Sequence, residues 1–196
     1  GGYVSQIHGL TAASGQFGYL GEHACMAPQS TWEKAFRTMY RKELDDIVAS
    51  GVYDRETADD ALALLDSHLG VFGNCRVPRL LHGDLWVANL LVRSDGEVTG
   101  VIDFDRACWG DIEWDLAIAD YCGITRPAFW EGYGSNWDRL VGDAGIRRFF
   151  YLLYEHQKYI AIAVSRRRND FGQAQRYAEE CLHAMEKFRR TGEPAF

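Results

Sequence analysis

The sequence lacks long hydrophobic runs, a leader segment and paired cysteines. No stretch reaches the roughly 18 consecutive apolar residues of a membrane-spanning helix, and no basic-then-apolar start marks a secretory signal. These absences predict a protein that works in the cytoplasm without a membrane partner. Hydrophobic residues make up 47% of the chain and aromatic residues 13%, which is typical of a packed globular domain rather than a disordered one.

The cysteines are too few and too scattered for a disulfide framework. Their number is odd and no C-x-x-C pair is present, so reduced thiols are expected rather than disulfides or a structural zinc site. Glu22 and His23 stand close to Cys25 and form a further candidate metal group, for which an ordinary loop is the simpler interpretation. The cysteines are Cys25, Cys75, Cys108, Cys122 and Cys181.

Charge is unevenly distributed along the chain, whose formal net charge is −7. Residues 103–143 hold nine acidic residues against three Arg, whereas residues 144–196 hold six acidic and ten basic residues. An acidic segment beside a binding site favours a cationic or amine-bearing ligand, and a solvated acidic surface is the alternative. The run Arg166-Arg167-Arg168 has no interleaved aromatic residues, so no nucleic-acid partner is expected.

Hydrophobic periodicity predicts a mostly helical chain. Ser30 and Glu33 form a capping box before the first strong helical pattern, and Asp54 has the side chain of an N-cap before the second. Residues 3–30 show no sustained period and predict a turn of helix or strand followed by loops. No linker or repeat divides the chain, so a single domain over residues 3–196 is expected. The predicted helices cover about 31–49, 54–69, 111–121, 127–133, 146–164 and 173–189.

A short β-hairpin is predicted in the middle of this helical body. Leu90–Val92 and Val98–Phe104 are β-type runs, and Ser94-Asp95-Gly96-Glu97 between them has the composition of a hairpin turn. The predicted fold class is therefore α+β, mostly α-helical. The hairpin is important because the candidate catalytic residues lie at its ends.

One motif points to phosphoryl transfer. In the run His82-Gly83-Asp84-Leu85-Trp86-Val87-Ala88-Asn89, an Asp is followed five residues later by an Asn, and Asp103 follows on a predicted strand. Kinases use such an Asp to accept the proton of the attacking hydroxyl, and the Asn and second Asp to hold Mg²⁺. Asp84 is thus the candidate catalytic base, with Asn89 and Asp103 as oxygen ligands of Mg²⁺. His82 belongs to the same catalytic group, and we expect it to brace the loop rather than transfer protons.

Other residues of the same region are candidates for supporting roles. Asp115 lies near a predicted helix start, where a carboxylate accepts backbone N–H bonds and pins the adjoining loop. Aromatic and acidic side chains nearby suit a sugar or ring substrate, with core packing as the alternative for each aromatic residue. The candidate substrate-binding residues are Trp86, Asp105, Trp109, Asp111 and Glu113.

These residues resemble the C-terminal lobe of the aminoglycoside phosphotransferase / fructosamine kinase superfamily. The run from His82 to Trp86, with Asn89, is similar to the family's catalytic loop. Ile102-Asp103-Phe104-Asp105 is similar to its metal-binding strand, and the segment 110–117 to the one that follows it. The Leu-Trp pair after Asp84 and the Gly-Asp-x-Glu-x-Asp-Leu-Ala run lean toward fructosamine kinases.

The resemblance implies a protein-kinase-like fold that binds ATP between a small β-rich lobe and a helical lobe. It implies ATP and Mg²⁺ as phosphoryl donor and metal, and a hydroxyl of a sugar, ketosamine, amino sugar or aminoglycoside as acceptor. No Gly-rich loop or strand-borne Lys precedes His82, so the chain is expected to be the C-terminal lobe alone, with the ATP-binding lobe absent. The absence of that lobe would uncover apolar surface that it normally covers, and exposed apolar surface favours self-association of this chain.

Two other functions remain open at this point. A reduced, pseudokinase-like module would keep the pocket and bind a small molecule or a partner without catalysis. A Mg²⁺-dependent phosphohydrolase would use Asp84 and Asp103 without a nucleotide, although no second-metal carboxylate cluster is evident.

Overall fold

A computed structural model of the chain describes residues 1–21, 25–135, 142–165 and 169–194. Within these ranges the chain forms seven α-helices and five short strands, and a 3₁₀ segment, Leu69–Asn74, follows α3. The helices are α1 (Gly2–Gly9), α2 (Trp32–Ala49), α3 (Arg55–Asp66), α4 (Ile112–Tyr121), α5 (Pro127–Tyr133), α6 (Gly142–Ser165) and α7 (Phe171–Thr191). The strands are β1 (Gly18–Tyr19), β2 (Arg79–Leu81), β3 (Leu90–Val92), β4 (Val98–Val101) and β5 (Cys108–Gly110).

The helices begin at side chains that satisfy their free N–H groups. Thr31 caps α2 by accepting a hydrogen bond from the Lys34 N–H, and Asp54 caps α3 by accepting one from the Thr57 N–H. The sequence predicted Asp54 in this role. For α2 it predicted the cap one residue early, at Ser30. None of the described helices is both long enough and apolar enough to cross a membrane.

The core is built around α6, which packs against α2, α4 and α7. An aromatic cluster fills the space between these helices, and its members are buried. The Trp32 indole N–H donates to the Tyr151 hydroxyl over 2.8 Å, and the rings of Trp114 and Tyr151 stack with centroids 5.9 Å apart. Burial of each such side chain contributes roughly 1.5–3 kcal/mol, so this cluster fixes α4 relative to α2 and α6.

The segments that contain Asp84 and Asp103 follow strands of two small sheets. Strand β5 lies at the centre of a three-stranded antiparallel sheet in the order β1-β5-β2, with Trp109 opposite both Gly18 and Leu80. Strands β3 and β4 pair with each other in an antiparallel hairpin. At Gly110 an added Cβ would lie 2.6 Å from the Trp32 ring, so the end of β5 can approach the core only with glycine there.

The α+β, mostly helical composition agrees with the sequence prediction, and each predicted helix has a counterpart within a few residues. The prediction was wrong at two places. The three-stranded sheet occupies segments that were predicted to hold loops or no regular structure, whereas helix α1 lies where a turn of helix or strand was expected. The second hairpin strand ends at Val101 rather than Phe104, because Asp103 adopts a left-handed backbone with φ +68 that a strand cannot continue.

Candidate active site

The loop that carries Asp84 connects β2 to the 3₁₀ turn Val87–Asn89. Gly83 has φ +78, and an added Cβ there would lie 2.4 Å from the backbone oxygen of Arg106. Glycine is therefore required both for the turn and for the close approach of the two backbones. This approach brings the Arg106 side chain beside Asp84.

Asp84 is held from two sides. Arg106 Nη1 donates to Asp84 Oδ1 over 3.2 Å, and Asn89 Nδ2 donates to Oδ2 over 3.2 Å and to the Asp84 backbone oxygen over 2.9 Å. The Asp84 side chain keeps an exposed fraction of 18%. A carboxylate that is hydrogen-bonded on both oxygens and opposite a guanidinium, yet still partly exposed, has a fixed orientation toward the space in front of it.

His82 connects the Asp84 loop to the segment that carries Asp103. Its ring is fully buried, its Nε2 lies 2.8 Å from the Ile102 backbone oxygen, and its Nδ1 lies 3.2 Å from the Asp84 backbone nitrogen. Because the first partner only accepts and the second only donates, the proton is on Nε2. The ring also packs on Phe104, with centroids 4.5 Å apart.

Asp115, in the first turn of α4, accepts hydrogen bonds from the backbone of the same loop. Its Oδ2 accepts from the His82 N–H over 2.7 Å and its Oδ1 from the Gly83 N–H over 2.8 Å, and the side chain is fully buried. His8 of α1 contacts Oδ2 over 3.1 Å, and Tyr133 of α5 lies 2.8 Å from the other nitrogen of His8. Three helices thus converge on the base of the loop. Neither His8 nor Tyr133 was predicted as a site residue, because both lie far from the motif in the sequence.

The two predicted metal residues are brought to one edge of the site by different segments. Asn89 is buried and its Nδ2 donates to Asp84, so the amide oxygen Oδ1 is the atom that could coordinate a cation. Asp103 is exposed two residues beyond β4, and the neighbouring Ile102 N–H donates to the Asn89 backbone oxygen over 3.0 Å. No cluster of three or more metal-ligating His, Cys, Asp or Glu side chains exists among the described residues. The oxygen donors present suit Mg²⁺ that is shared with phosphate oxygens and water.

A cavity of about 220 Å³ opens in front of Asp84, and we call it the Asp84 cavity. Helices α4, α6 and α7 supply most of its wall, and Trp86 of the loop closes one side. Aromatic side chains dominate the lining, with two carboxylates among them. The cavity is lined by Asp84, Trp86, Ile118, Tyr121, Cys122, Leu152, Glu155, His156, Tyr159 and Tyr177.

The charge in the Asp84 cavity comes from its carboxylates. Burial lowers the pKa of His156, and burial raises the pKa of the Cys122 thiol, so both are neutral near pH 7. Glu155 is buried, accepts a hydrogen bond from the Trp114 indole N–H over 3.2 Å and forms an ion pair with Lys158. The sequence missed Glu155, because a single acidic residue within an amphipathic helix resembles an ordinary surface position.

Four of the predicted substrate-binding residues do not line the Asp84 cavity, and only Trp86 does. Asp111 caps α4 and accepts the Tyr151 hydroxyl over 2.8 Å, and burial raises the pKa of Asp111 to about 6. Glu113 forms two hydrogen bonds of 2.7 and 2.9 Å with Arg147.

Trp109 lies half-buried in β5, and Asp105 faces a second cavity. Contact of these residues with substrate stays a prediction. Of the further candidate metal group, Glu22 and His23 lie outside the described residues, as does the run 166–168.

The chain is similar to known proteins in sequence and in fold. A family model described as "Phosphotransferase enzyme family" matches residues 5–149, which is more than half of the chain, and the protein belongs to this family. The fold is protein-kinase-like. A solved structure of a "Putative fructosamine-3-kinase" from Haemophilus somnus superposes with a TM-score of 0.65 and 21% identity, covering 92% of this chain and 61% of that one.

Two sequence relatives carry the same kind of name. A "Probable ketoamine kinase" from Vibrio cholerae is 48% identical over 61 residues, which are 31% of this chain and 20% of that protein. Another "Probable ketoamine kinase", from Staphylococcus aureus, is 26% identical over 202 residues, covering 95% of this chain and 63% of that protein. The chain spans less than two thirds of the length of each of these three proteins.

Proposed function

We propose that the protein transfers the γ-phosphoryl group of ATP, with Mg²⁺, to a hydroxyl of a small amine-bearing sugar, a ketoamine. The observation that carries this proposal is the placement of Asp84. Its carboxylate is held by Arg106 and Asn89 at the mouth of an aromatic cavity, with Asp103 nearby on the adjoining segment. Membership of the phosphotransferase family supports the reaction class.

Asp84 is the base in this proposal. The acceptor hydroxyl donates a hydrogen bond to the Asp84 carboxylate, which aims its oxygen at the γ-phosphorus and takes the proton as the new P–O bond forms. Arg106 and Asn89 each occupy one carboxylate oxygen with a single donor, so lone pairs remain for the hydroxyl. Orientation of the acceptor is the larger part of this contribution, because little covalent chemistry is asked of a protein in phosphoryl transfer.

Asn89 Oδ1 and the Asp103 carboxylate would hold Mg²⁺ in this proposal. The ion, when bound, neutralises charge on the phosphates of ATP. The left-handed backbone of Asp103 is a strained conformation for a residue other than glycine, and such strain commonly marks a functional position. His82 Nε2–H donates to the Ile102 backbone oxygen, and the Ile102 N–H donates to the Asn89 backbone oxygen. These two hydrogen bonds keep the Asp103 segment against the Asp84 loop.

In this proposal the acceptor binds in the Asp84 cavity. A sugar ring packs well on aromatic walls, and the carboxylates of Asp84 and Glu155 favour a positive amine over a neutral sugar. Two sequence relatives bear the name "Probable ketoamine kinase", and a ketoamine combines these two features. We further propose that residues 3–196 correspond to the acceptor-binding lobe of the kinase fold. The ATP-binding lobe then corresponds to the part of the relatives that this chain does not cover.

The metal assignment can be tested by calorimetric titration of Mg-ATP into the full-length protein. Asn tolerates a left-handed backbone, so Asp103→Asn removes the charge without forcing the segment to refold. We expect binding to depend on Mg²⁺ and to weaken at least about tenfold in this variant, which is about 1.4 kcal/mol. Asp95→Asn, in the exposed hairpin turn, is the matched control and should bind normally. Equal affinity of the two variants would refute the role of Asp103.

The base and the acceptor class can be tested by transfer of phosphate to a fructose-derived ketoamine in the full-length protein. Replacing Asp84 by Asn should lower kcat by about 10²–10⁴-fold, because it removes the proton acceptor. Fructose itself, which lacks the amine, should be a poorer acceptor. Near-normal turnover by the Asp84→Asn variant would exclude Asp84 as the base.

A further inference from the structure

Three tyrosines from three different helices line the Asp84 cavity. Tyr121 is the last residue of α4, Tyr159 belongs to α6 and Tyr177 to α7. We call these three side chains the tyrosine rim. They are far apart in the sequence, so only the packing of the three helices brings their rings to one cavity.

The tyrosine rim is the part of the lining that solvent reaches. Tyr121 is 53% exposed and Tyr159 is 41% exposed, and Tyr177 is half-buried. Ile118 and Leu152 of the same lining are buried, so they form the floor of the cavity. Large aromatic side chains that are exposed together around a concave site commonly mark contact with a ligand.

Ring contacts hold the tyrosine rim in place along one face of α6. The rings of Tyr159 and Tyr177 have centroids 5.7 Å apart, and the ring of Tyr121 packs edge-on against His156 with centroids 5.1 Å apart. His156 and Tyr159 are three positions apart on α6, so both lie on the same face of the helix. Side chains that are ordered before a ligand arrives lose little conformational entropy when they contact it.

The size of the cavity leaves the tyrosine rim to a group outside the sugar. At roughly 30 Å³ for each water molecule of the liquid, its volume of about 220 Å³ is the space of one sugar. A sugar whose hydroxyl contacts Asp84 therefore fills it. In a ketoamine, the group attached to the nitrogen then projects toward the exposed edge of the cavity, where the tyrosine rim lies.

The chemistry of this edge suits an apolar group better than an anionic one. No Lys or Arg belongs to the cavity lining in the described part of the chain. Lys158 lies over the ring of Tyr159 at 5.5 Å, but it is paired with Glu155. A carboxylate at the edge thus finds no available cation, whereas an apolar ring gains contact area and favourable ring packing on the tyrosines.

We propose that the acceptor is the ketoamine of an amine that carries an apolar ring, and that this ring packs on Tyr121, Tyr159 and Tyr177. The inference rests on the proposed function, because it takes the sugar to lie in front of Asp84. It adds to that function the class of amine from which the ketoamine is made. The three tyrosines are then specificity-determining residues, which select among acceptors that share the same sugar.

The test compares two fructose-derived ketoamines by calorimetric titration into the full-length protein. One is made from benzylamine and the other from methylamine, so both have the same sugar and the same secondary amine and differ only in the ring. We expect the benzylamine compound to bind at least about tenfold more tightly. This comparison needs no variant and no phosphoryl transfer.

Variants of the tyrosine rim then locate the ring. Tyr121→Gln, Tyr159→Gln and Tyr177→Gln should each lower the ratio of the two affinities by about three- to tenfold, because each removes one aromatic contact from the ring alone. Tyr3→Gln is the matched control, since Tyr3 is 43% exposed on α1 and does not line the Asp84 cavity. The control should keep the wild-type ratio, and circular dichroism verifies that each variant is folded.

Two results would overturn the inference while the proposed function stands. One is equal affinity of the wild-type protein for the two ketoamines, and the other is a wild-type ratio in all three folded variants of the tyrosine rim. Binding of neither ketoamine would instead contradict the proposed acceptor class, and the inference would fall with it. The two failures can therefore be told apart.

Discussion

At the scale of single residues, the position of the loop before Asp84 depends on one buried carboxylate. Asp115 accepts the N–H groups of His82 and Gly83 and contacts His8. Its side chain is fully buried, so solvent cannot replace these bonds when the carboxylate is removed. Asp115 is therefore a positioning residue, because it acts on Asp84 only through the backbone of the loop.

Replacing Asp115 by Ala should lower the free energy of unfolding by about 3–5 kcal/mol, because two backbone donors are left buried without partners. Urea unfolding followed by circular dichroism measures this change. Asp59→Ala, at an exposed position of α3, should change stability by less than about 0.5 kcal/mol. A loss in Asp115→Ala no larger than this control would show that the loop is held in another way.

Glu43 should make the chain less stable at higher pH. The pKa of Glu43 is about 7 in the folded chain against an ordinary 4.5, so the unfolded chain releases this proton at lower pH. Folding stability is therefore lost as the pH rises from about 4.5 to about 7, and the loss is constant above that range. Glu43→Gln should remove about 1–2 kcal/mol of the stability difference between pH 5 and pH 8, after allowance for partial exposure.

Thermal or urea unfolding at the two pH values measures this difference. Asp45→Asn is the control, since it removes one acidic group from the same helix at an exposed ion pair. An unchanged pH dependence in Glu43→Gln would mean that Glu43 titrates normally in the folded chain.

At the scale of elements, the tight connection between β2 and the 3₁₀ turn depends on one glycine. Gly83 combines φ +78 with a close approach to the Arg106 backbone, whereas Gly96 in the hairpin turn has φ +88 and open space around its missing Cβ. The comparison separates the cost of the backbone conformation from the cost of the overlap.

Gly96→Ala should lose about 1 kcal/mol of stability, which is the cost of the left-handed backbone alone. Gly83→Ala should lose about 2–4 kcal/mol, because the overlap with Arg106 adds to that cost. Urea unfolding compares the two variants. Equal losses would indicate that the Arg106 segment moves away from the loop without cost.

The sequence predicted those elements whose cause is local. Helix α2 has apolar residues at helical spacing over many residues, and the Asp54 side chain is a typical N-cap before α3. Both helices could therefore be predicted without a structure. Strand β5 was not, because Cys108-Trp109-Gly110 has no alternating pattern. It becomes a strand only through partners at 18–19 and 79–81, which lie far away in the sequence.

The candidate site divides in the same way. Asp84, Asn89 and Asp103 form a motif with short spacing, so the sequence alone is enough to propose them as candidates. Their partners depend on tertiary packing: His8 meets Asp115 across 107 positions, and Trp114 meets Glu155 across 41. No local pattern contains such pairs, and the lining of the Asp84 cavity likewise joins segments that lie far apart in the sequence, from Asp84 to Tyr177.

At the scale of the whole molecule, apolar side chains remain exposed around α1 and the end of β4. Tyr3, Leu10, Ile102 and Phe104 are each at least 39% exposed, and several of them border a depression of about 380 Å³. Exposed apolar groups that lie together favour association, so self-association, which the sequence also predicted, stays an expectation for this chain.

We expect the apparent mass in light scattering to rise with protein concentration. Leu10→Lys should reduce this rise, because it places a charge in the exposed apolar region. Phe171→Lys introduces the same charge at an exposed apolar position of α7 and should reduce it less. A constant monomer mass at all concentrations would contradict the expectation.

The hydrogen bonds of Asp115 also have a consequence for the order of events during synthesis on the ribosome. The loop at 82–84 is made first, whereas the carboxylate that accepts its His82 N–H follows 33 positions later. His8, which contacts the same carboxylate in the folded chain, has already left the ribosome when Asp115 emerges. A nascent chain stalled before Asp115 emerges should therefore expose this loop to proteases, and a chain stalled after α4 emerges should protect it.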